Sequence, residues 1–345
     1  MRSRTATPVL FFVIIAAFLF SCKTPAYTSK SVPETSTDSV KPATLGAFGL
    51  EGAGKEQQVD MQQFRRKALN IPFANTANPR QTLDIIYPVD GEAPYKFIVV
   101  FHGGGWAAGD KRSGTLAPIF QAITQGYAVA SVNYRLSDEV IWPKPLHDAK
   151  AAIRYLRANA FKHLLDASNI VVWGVSAGGH LAEMLAATNN QPAFEDPGLG
   201  NPVTSSAVQG VVSWYGIPDV SELTAAGIPA ANKLMGYEVK TNKEKTREAN
   251  PVALVTKNFP PILLVHGTND QVVPFAQAVK LQTKVNETTG IMIATLKRVE
   301  GARHGDSTIR TNQIASNCLD FVDKILFNGK NPHRNEAYIN MKISE

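Results

Sequence analysis

Serine, aspartate and histidine stand in this chain at three glycine-marked turns: Gly174-Val175-Ser176-Ala177-Gly178, His266-Gly267-Thr268-Asn269-Asp270 and Gly301-Ala302-Arg303-His304-Gly305. A serine hydroxyl is a weak nucleophile at neutral pH. It needs an imidazole within hydrogen-bond reach to take its proton, and that imidazole needs a carboxylate on its other ring nitrogen. The three together would perform acyl transfer. A fourth stretch, His102-Gly103-Gly104-Gly105-Trp106, supplies the remaining requirement. Consecutive glycines pack nothing and cost backbone entropy, which makes sense where the backbone must face a ligand. N–H groups of this loop, joined by that of Ala177, can converge on the oxyanion of a tetrahedral intermediate. The plainer alternatives are a glycine turn at 103–105 and a glycine-rich turn that merely exposes Ser176.

Context favours the chemical reading. Asn169-Ile-Val-Val-Trp173 reads as a strand running straight into the serine motif, and the alanine-rich run to Ala187 reads as a helix leaving it. In so tight a strand-to-helix turn the central residue is strained, and residues two on either side must be small. Gly174 and Gly178 meet that demand. The new helix also turns unpaired N–H groups and its positive dipole end toward negative charge.

The elements that must carry these turns alternate. Strands are predicted at 82–87, 96–101, 127–133, 207–215, 261–266 and 291–296, and helices near 116–125, after Pro143 and Pro145, at 275–285 and at 307–326. Strands separated by amphipathic helices imply βαβ units, hence an α/β fold with a mostly parallel sheet covered on both faces. Residues 217–250 interrupt the alternation as an insertion after the strand near residue 215, either a roof over the site or a surface excursion. Asp270 follows a strand end and is the preferred acid. Asp219 and Asp306 are its rivals, Asp306 being only two residues from His304. His266 abuts a strand and reads as structural.

At the start, Met1-Arg-Ser-Arg4, an apolar run from Val9 to Phe20 and Ser21-Cys22 have the plan of an export signal in residues 1–22, with a run too short to span a bilayer comfortably. Residues 23–64 are rich in Ser, Thr, Pro, Ala and Gly and read as a flexible tether. The folded domain is expected over 65–330, with a tail at 331–345. In 345 residues the basic excess is +6, spread without a basic block, which gives no ground for a nucleic-acid partner. Only two cysteines occur, Cys22 and Cys318, so neither a disulfide framework nor a cysteine metal site is implied.

The pairing of His102-Gly-Gly-Gly-Trp106 with Gly174-Val-Ser-Ala-Gly178, and of Asp270 with His304 in late loops, resembles the α/β-hydrolase superfamily in its hormone-sensitive-lipase-like esterase branch. The fuller run Trp106-Ala-Ala-Gly109-Asp110-Lys111, with Asn133-Tyr-Arg-Leu136, is similar to bacterial feruloyl and acetyl-xylan esterases and related carboxylesterases. The resemblance spans about residues 80–328. It implies a serine esterase of the α/β-hydrolase fold with Ser176, Asp270 and His304 as catalytic residues, Gly104 and Gly105 as the loop donors, and no metal or organic cofactor. The Leu19-Phe20-Ser21-Cys22 ending resembles a bacterial lipobox, which implies lipidation at Cys22 and an exported, membrane-anchored protein. An ordinary secretory peptide and an uncleaved anchor are the alternatives. Trp106, Trp142, Trp214 and Tyr215 either line a pocket for an aromatic acyl group or belong to the core. Trp106 and Trp214 are the candidates for substrate contact. The expected substrate is a small or carbohydrate-linked ester; an amidase, formamidase or peptidase on the same residues, and a non-catalytic binding module on the same fold, are the competing readings.

Overall fold

The computed structural model describes residues 57–329, 331 and 332. The hydrophobic leader, Cys22 and most of the expected tether lie outside the described residues, as does nearly all of the expected tail.

Among the described residues, eight strands form one sheet in the order β1-β2-β4-β3-β5-β6-β7-β8. They are β1 (Lys67–Pro72), β2 (Thr82–Ile86), β3 (Phe97–Phe101), β4 (Ala128–Val132), β5 (Val171–Val175), β6 (Gly210–Trp214), β7 (Ile262–Gly267) and β8 (Ala294–Val299). β2 runs antiparallel to both β1 and β4, and every other pairing is parallel. All residues of β3, β4, β5 and β6 are buried, as continuous apolar runs require when both faces of a sheet are covered. One face packs against α2 (Lys144–Ala158), α3 (Ala177–Ala187) and α6 (Phe275–Thr289), the other against α1 (Ala117–Phe120) and α7 (Asn312–Leu326). The strands alternate between the two cores: Phe97, Val99 and Phe101 of β3 serve the first, Ile98 and Val100 the second. This is the α/β-hydrolase fold.

Three expectations need correction. Residues 57–64 belong to the folded domain and not to the tether: the Val59 N–H donates to Arg112 O (2.7 Å), the Gly114 N–H to Gln57 O (2.7 Å), and Met61 and Phe64 are buried. Val59, Met61 and Phe64 pack against the second core, so the segment is docked by both backbone hydrogen bonds and apolar contacts. β1 has no counterpart among the predicted strands, because as an edge strand it holds only exposed and half-buried residues, without a regular alternation, and ends at Pro72. β8 begins at Ala294, three residues later than the apolar run beginning at Ile291; Ile291 and Met292 stand exposed.

The insertion between β6 and β7 holds α4 (Ile228–Met235), α5 (Lys243–Thr246) and several single turns. Its Ile217, Val220, Leu234, Val239 and Ala249 join the first core, so it is packed into the domain and is no mere surface excursion. Because β3, β5, β7 and β8 are parallel, the loops after them emerge along one edge, where doubly wound sheets place their sites.

Candidate active site

Ser176 stands between β5 and α3 with φ 55° and ψ −116°, a strained conformation for a residue with a side chain. Its N–H donates to Trp214 O (2.9 Å) and its carbonyl accepts the His180 N–H (2.9 Å), so neighbouring elements hold the strain in place. A Cβ at Gly174 would overlap the Gly178 carbonyl, and one at Gly178 would overlap the Phe101 carbonyl. These two glycines are therefore fixed by close backbone approach on either side of the serine.

From that turn a chain of hydrogen bonds crosses the sheet edge. Ser176 Oγ lies 2.8 Å from His304 Nε2, and His304 Nδ1 lies 2.8 Å from Asp270 Oδ2. A carboxylate only accepts, so Nδ1 carries the proton and Nε2 presents its lone pair to the serine hydroxyl. Asp270 is itself anchored locally: its Oδ1 accepts the N–H groups of Val272 and Val273, both at 2.9 Å. Burial alone would raise its pKa, but hydrogen bonds from His266 and His304 outweigh that and hold the carboxyl well below the usual carboxylate range. The Tyr215 ring meets the His304 imidazole edge-on at 5.0 Å.

The rival acids are committed elsewhere. Asp219 Oδ1 accepts from the Ser221 N–H and hydroxyl and from Asn250 Nδ2, while Oδ2 lies 3.5 Å from Lys280. Asp306 Oδ1 accepts from the Thr308 N–H and hydroxyl. His266 is more than the structural residue read from the sequence: its Nε2 lies 2.9 Å from Val273 O and 3.1 Å from Asp270 Oδ2, the same oxygen that His304 contacts, so it braces the acid. Its spacing, four residues before Asp270 across a Gly-containing turn, was the available signal.

The loop after β3 passes directly beside the serine, since a Cβ at Gly103 would lie 3.4 Å from Ser176 Cβ. Gly104 and Gly105 have φ 106° and 58°, and among the described residues neither N–H donates a hydrogen bond. Ala177, as the first residue of α3, has no intrahelical acceptor. The loop is pinned beyond its glycines. Arg80 Nη1 donates to Gly109 O (2.7 Å), Asn133 Nδ2 to Asp110 Oδ2 (2.9 Å), the Lys111 N–H to Asn133 Oδ1 (2.6 Å), and Arg112 Nε to the buried Asp84 (2.7 Å). The two sequence runs 106–111 and 133–136 thus meet through Asn133. His102 is fully buried with its pKa pushed down to about 4, and its Nδ1 donates to Gly103 O (2.7 Å), so it is tied into the loop's own backbone.

Trp106 and Trp214 do not line a pocket. Both are 0% exposed: the Trp106 indole N–H donates to His180 Nδ1 (3.2 Å), and the Trp214 ring packs edge-on against Trp173 at 5.2 Å. Trp142 and Tyr215 are nearly as buried. Large aromatics on fully covered strands and in a loop folded inward serve the core first.

Sheet order, elbow and the serine–histidine–aspartate chain define an α/β-hydrolase. The profile of the BD-FAE family matches residues 83–285, and the chain belongs to that family. It is 30% identical to esterase LipC of Mycobacterium tuberculosis over 255 residues, 72% of this chain and 63% of LipC. With the probable carboxylic ester hydrolase LipM of the same organism it shares 33% identity over 194 residues, 54% of this chain and 44% of LipM. The chain thus spans less than two thirds of either relative. A solved truncated carbohydrate esterase from gut microbiota has 29% identity and a TM-score of 0.70, covering 78% of this chain and 99% of that one.

Proposed function

We propose that this protein is a carboxylic ester hydrolase that transfers the acyl group of its substrate to Ser176 and then to water. The observation that carries the reading is the unbroken chain from Ser176 Oγ through His304 to Asp270 Oδ2, with both links at 2.8 Å. His304 Nε2 takes the serine proton as Oγ attacks the ester carbonyl. The Gly104, Gly105 and Ala177 N–H groups hold the resulting oxyanion, each such donor contributing roughly 3 to 4 kcal/mol in comparable enzymes. The imidazolium, steadied by the ionised Asp270, gives its proton to the departing alcohol, and water repeats the cycle on the acyl-enzyme. Nothing in this sequence of steps calls on a metal or organic cofactor.

For the substrate we propose an acetyl ester on a carbohydrate. Likeness to a carbohydrate esterase supports the alcohol side. On the acyl side, the aromatics that would have cradled a feruloyl group are buried, which favours a small group. Purified protein should hydrolyse acetylated oligosaccharides faster than feruloylated ones and nitrophenyl acetate faster than nitroacetanilide, and Ser176→Ala should abolish all of it. Preference for feruloyl esters would overturn the acyl assignment; preference for the anilide would replace the esterase with an amidase.

We also propose lipidation at Cys22, motivated by the apolar run and Ser21 before it. One acyl chain gives only marginal membrane binding, so several would be needed for stable anchoring. Mass spectrometry of the mature N-terminus in a bacterial host should find a lipid-modified residue 22; an unmodified peptide beginning elsewhere would make the protein a secreted enzyme without an anchor.

A further inference from the structure

His180 lies one turn into α3, four residues after Ser176, and is completely buried. Its imidazole joins three separate segments. Nδ1 accepts the indole N–H of Trp106, the residue that follows Gly104 and Gly105. An indole N–H only donates, so the proton of the neutral ring sits on Nε2, which donates to Ala249 O in the segment inserted after β6 (2.8 Å). Trp106 meets the ring edge-on at 5.2 Å and Trp142 packs against it at 5.4 Å. Trp106 also has φ 57°, a backbone that a non-glycine residue keeps only when its surroundings enforce it, and its carbonyl accepts the Ser137 N–H (2.8 Å). The nucleophile and the anchor of the glycine loop therefore ride on one rigid helix.

We propose that His180 is a positioning residue for the oxyanion donors: acting through the Trp106 indole, it fixes the Gly104–Gly105 backbone relative to Ser176. The inference rests on the ester-hydrolase reading above. A displacement of the order of 1 Å between donor and oxyanion is enough to cost about a hundredfold in rate, and the loop's glycines have no side chains with which to resist it.

The two ring nitrogens allow a test that separates positioning from packing. Asparagine places an oxygen near Nδ1 and keeps an acceptor for Trp106; glutamine places its amide near Nε2 and serves Ala249 instead. With nitrophenyl acetate, Trp106→Phe and His180→Gln should lower kcat by roughly 10- to 100-fold, less than the roughly 100- to 1000-fold lost when an oxyanion donor is removed outright, and leave KM within about twofold. Inhibition by a trifluoromethyl ketone, which binds as an oxyanion, should weaken by the same factor as kcat. His180→Asn should recover most of the loss. Packing alone predicts that Asn, the poorer volume match, is the worse of the two His180 variants. Equal kcat in His180→Asn and His180→Gln, or a Trp106→Phe enzyme with unchanged kcat and ketone affinity, would overturn the inference while Ser176→Ala remained inactive. An active Ser176→Ala enzyme would instead overturn the ester-hydrolase reading, and this inference with it.

Discussion

The Ser176 turn and the glycine loop after β3 lie side by side, yet they are held by different means. The turn is fixed by sterics within a few residues: Gly174 and Gly178 leave no room for a Cβ, and the backbone around Ser176 is tied to Trp214 and His180. The loop is fixed at a distance, by Arg80 before β2, Asp84 on β2, Asn133 and Ser137 after β4, and His180 on α3. On the proposed mechanism, a nucleophile must be exposed at one point and can be strained there, whereas donors that must all aim at one oxygen need many outside supports, because glycines provide none themselves. The turn should therefore be brittle and the loop gradual in its response to mutation.

The most severe break is predicted for Gly178→Ala. Its methyl would collide with the Phe101 carbonyl on a fully buried strand, so both soluble yield and activity should collapse; a folded, active variant would show that the turn can relax. Next, Asp270→Asn should lower kcat by about 10⁴, because an amide donating to Nδ1 favours the wrong tautomer of His304. Asp306→Asn should stay within about twofold, its carboxylate being spent on Thr308; steady-state kinetics on the pair would expose a wrong choice of acid. Asp84→Asn removes the carboxylate that faces both Arg112 and the buried Lys111 at the far support of the loop. It should cost about 3 kcal/mol of stability, as the loss of one partner of a buried pair does, but only about tenfold in kcat, since the other supports remain. Urea unfolding and kinetics together measure whether the loop is as gradual as claimed.

An effect on stability alone, with no change expected in kcat, concerns Glu183, which faces β6 from α3, accepts the Ser213 hydroxyl at 2.7 Å and has its pKa raised to about 8 by burial. The folded protein keeps this proton after the unfolded chain has lost it. Stability from this group is therefore full below its ordinary value of 4.5 and declines as pH rises toward 8, by up to about 1.4 kcal/mol per pH unit. Glu183→Gln removes the titration, so its unfolding midpoint should match wild type most closely in acid and exceed it increasingly up to pH 8. Parallel curves would mean that Glu183 is ionised in the fold.

The same contrast explains what the sequence disclosed. Ser176, Gly174 and Gly178 were legible because their constraints act on neighbours in the chain, Asp270 because it follows a strand of continuous apolar pattern, and His304 because it stands between glycines in a loop after the last strand. The loop's supports were not legible: Arg80, Asp84 and His180 act across 29, 28 and 74 residues. Asp84 did carry a signal, as a charge inside the apolar strand Leu83–Ile86 that had to find a partner. Trp106 and Trp214 misled because aromatic character marks a core and a pocket equally well, and only burial separates them. His266 was discounted for abutting a strand, although that is what lets it reach Asp270.

The central claim is that Ser176 is a nucleophile activated by His304, and covalent labelling tests it most directly. Incubation with a fluorophosphonate, followed by digestion and mass spectrometry, should place a single adduct on the peptide containing Gly174-Val-Ser176-Ala-Gly178. Labelling should vanish in Ser176→Ala and slow by at least about a hundredfold in His304→Ala, the lower bound for loss of a general base. An adduct on another residue, or labelling at Ser176 that is indifferent to the loss of His304, would contradict the account.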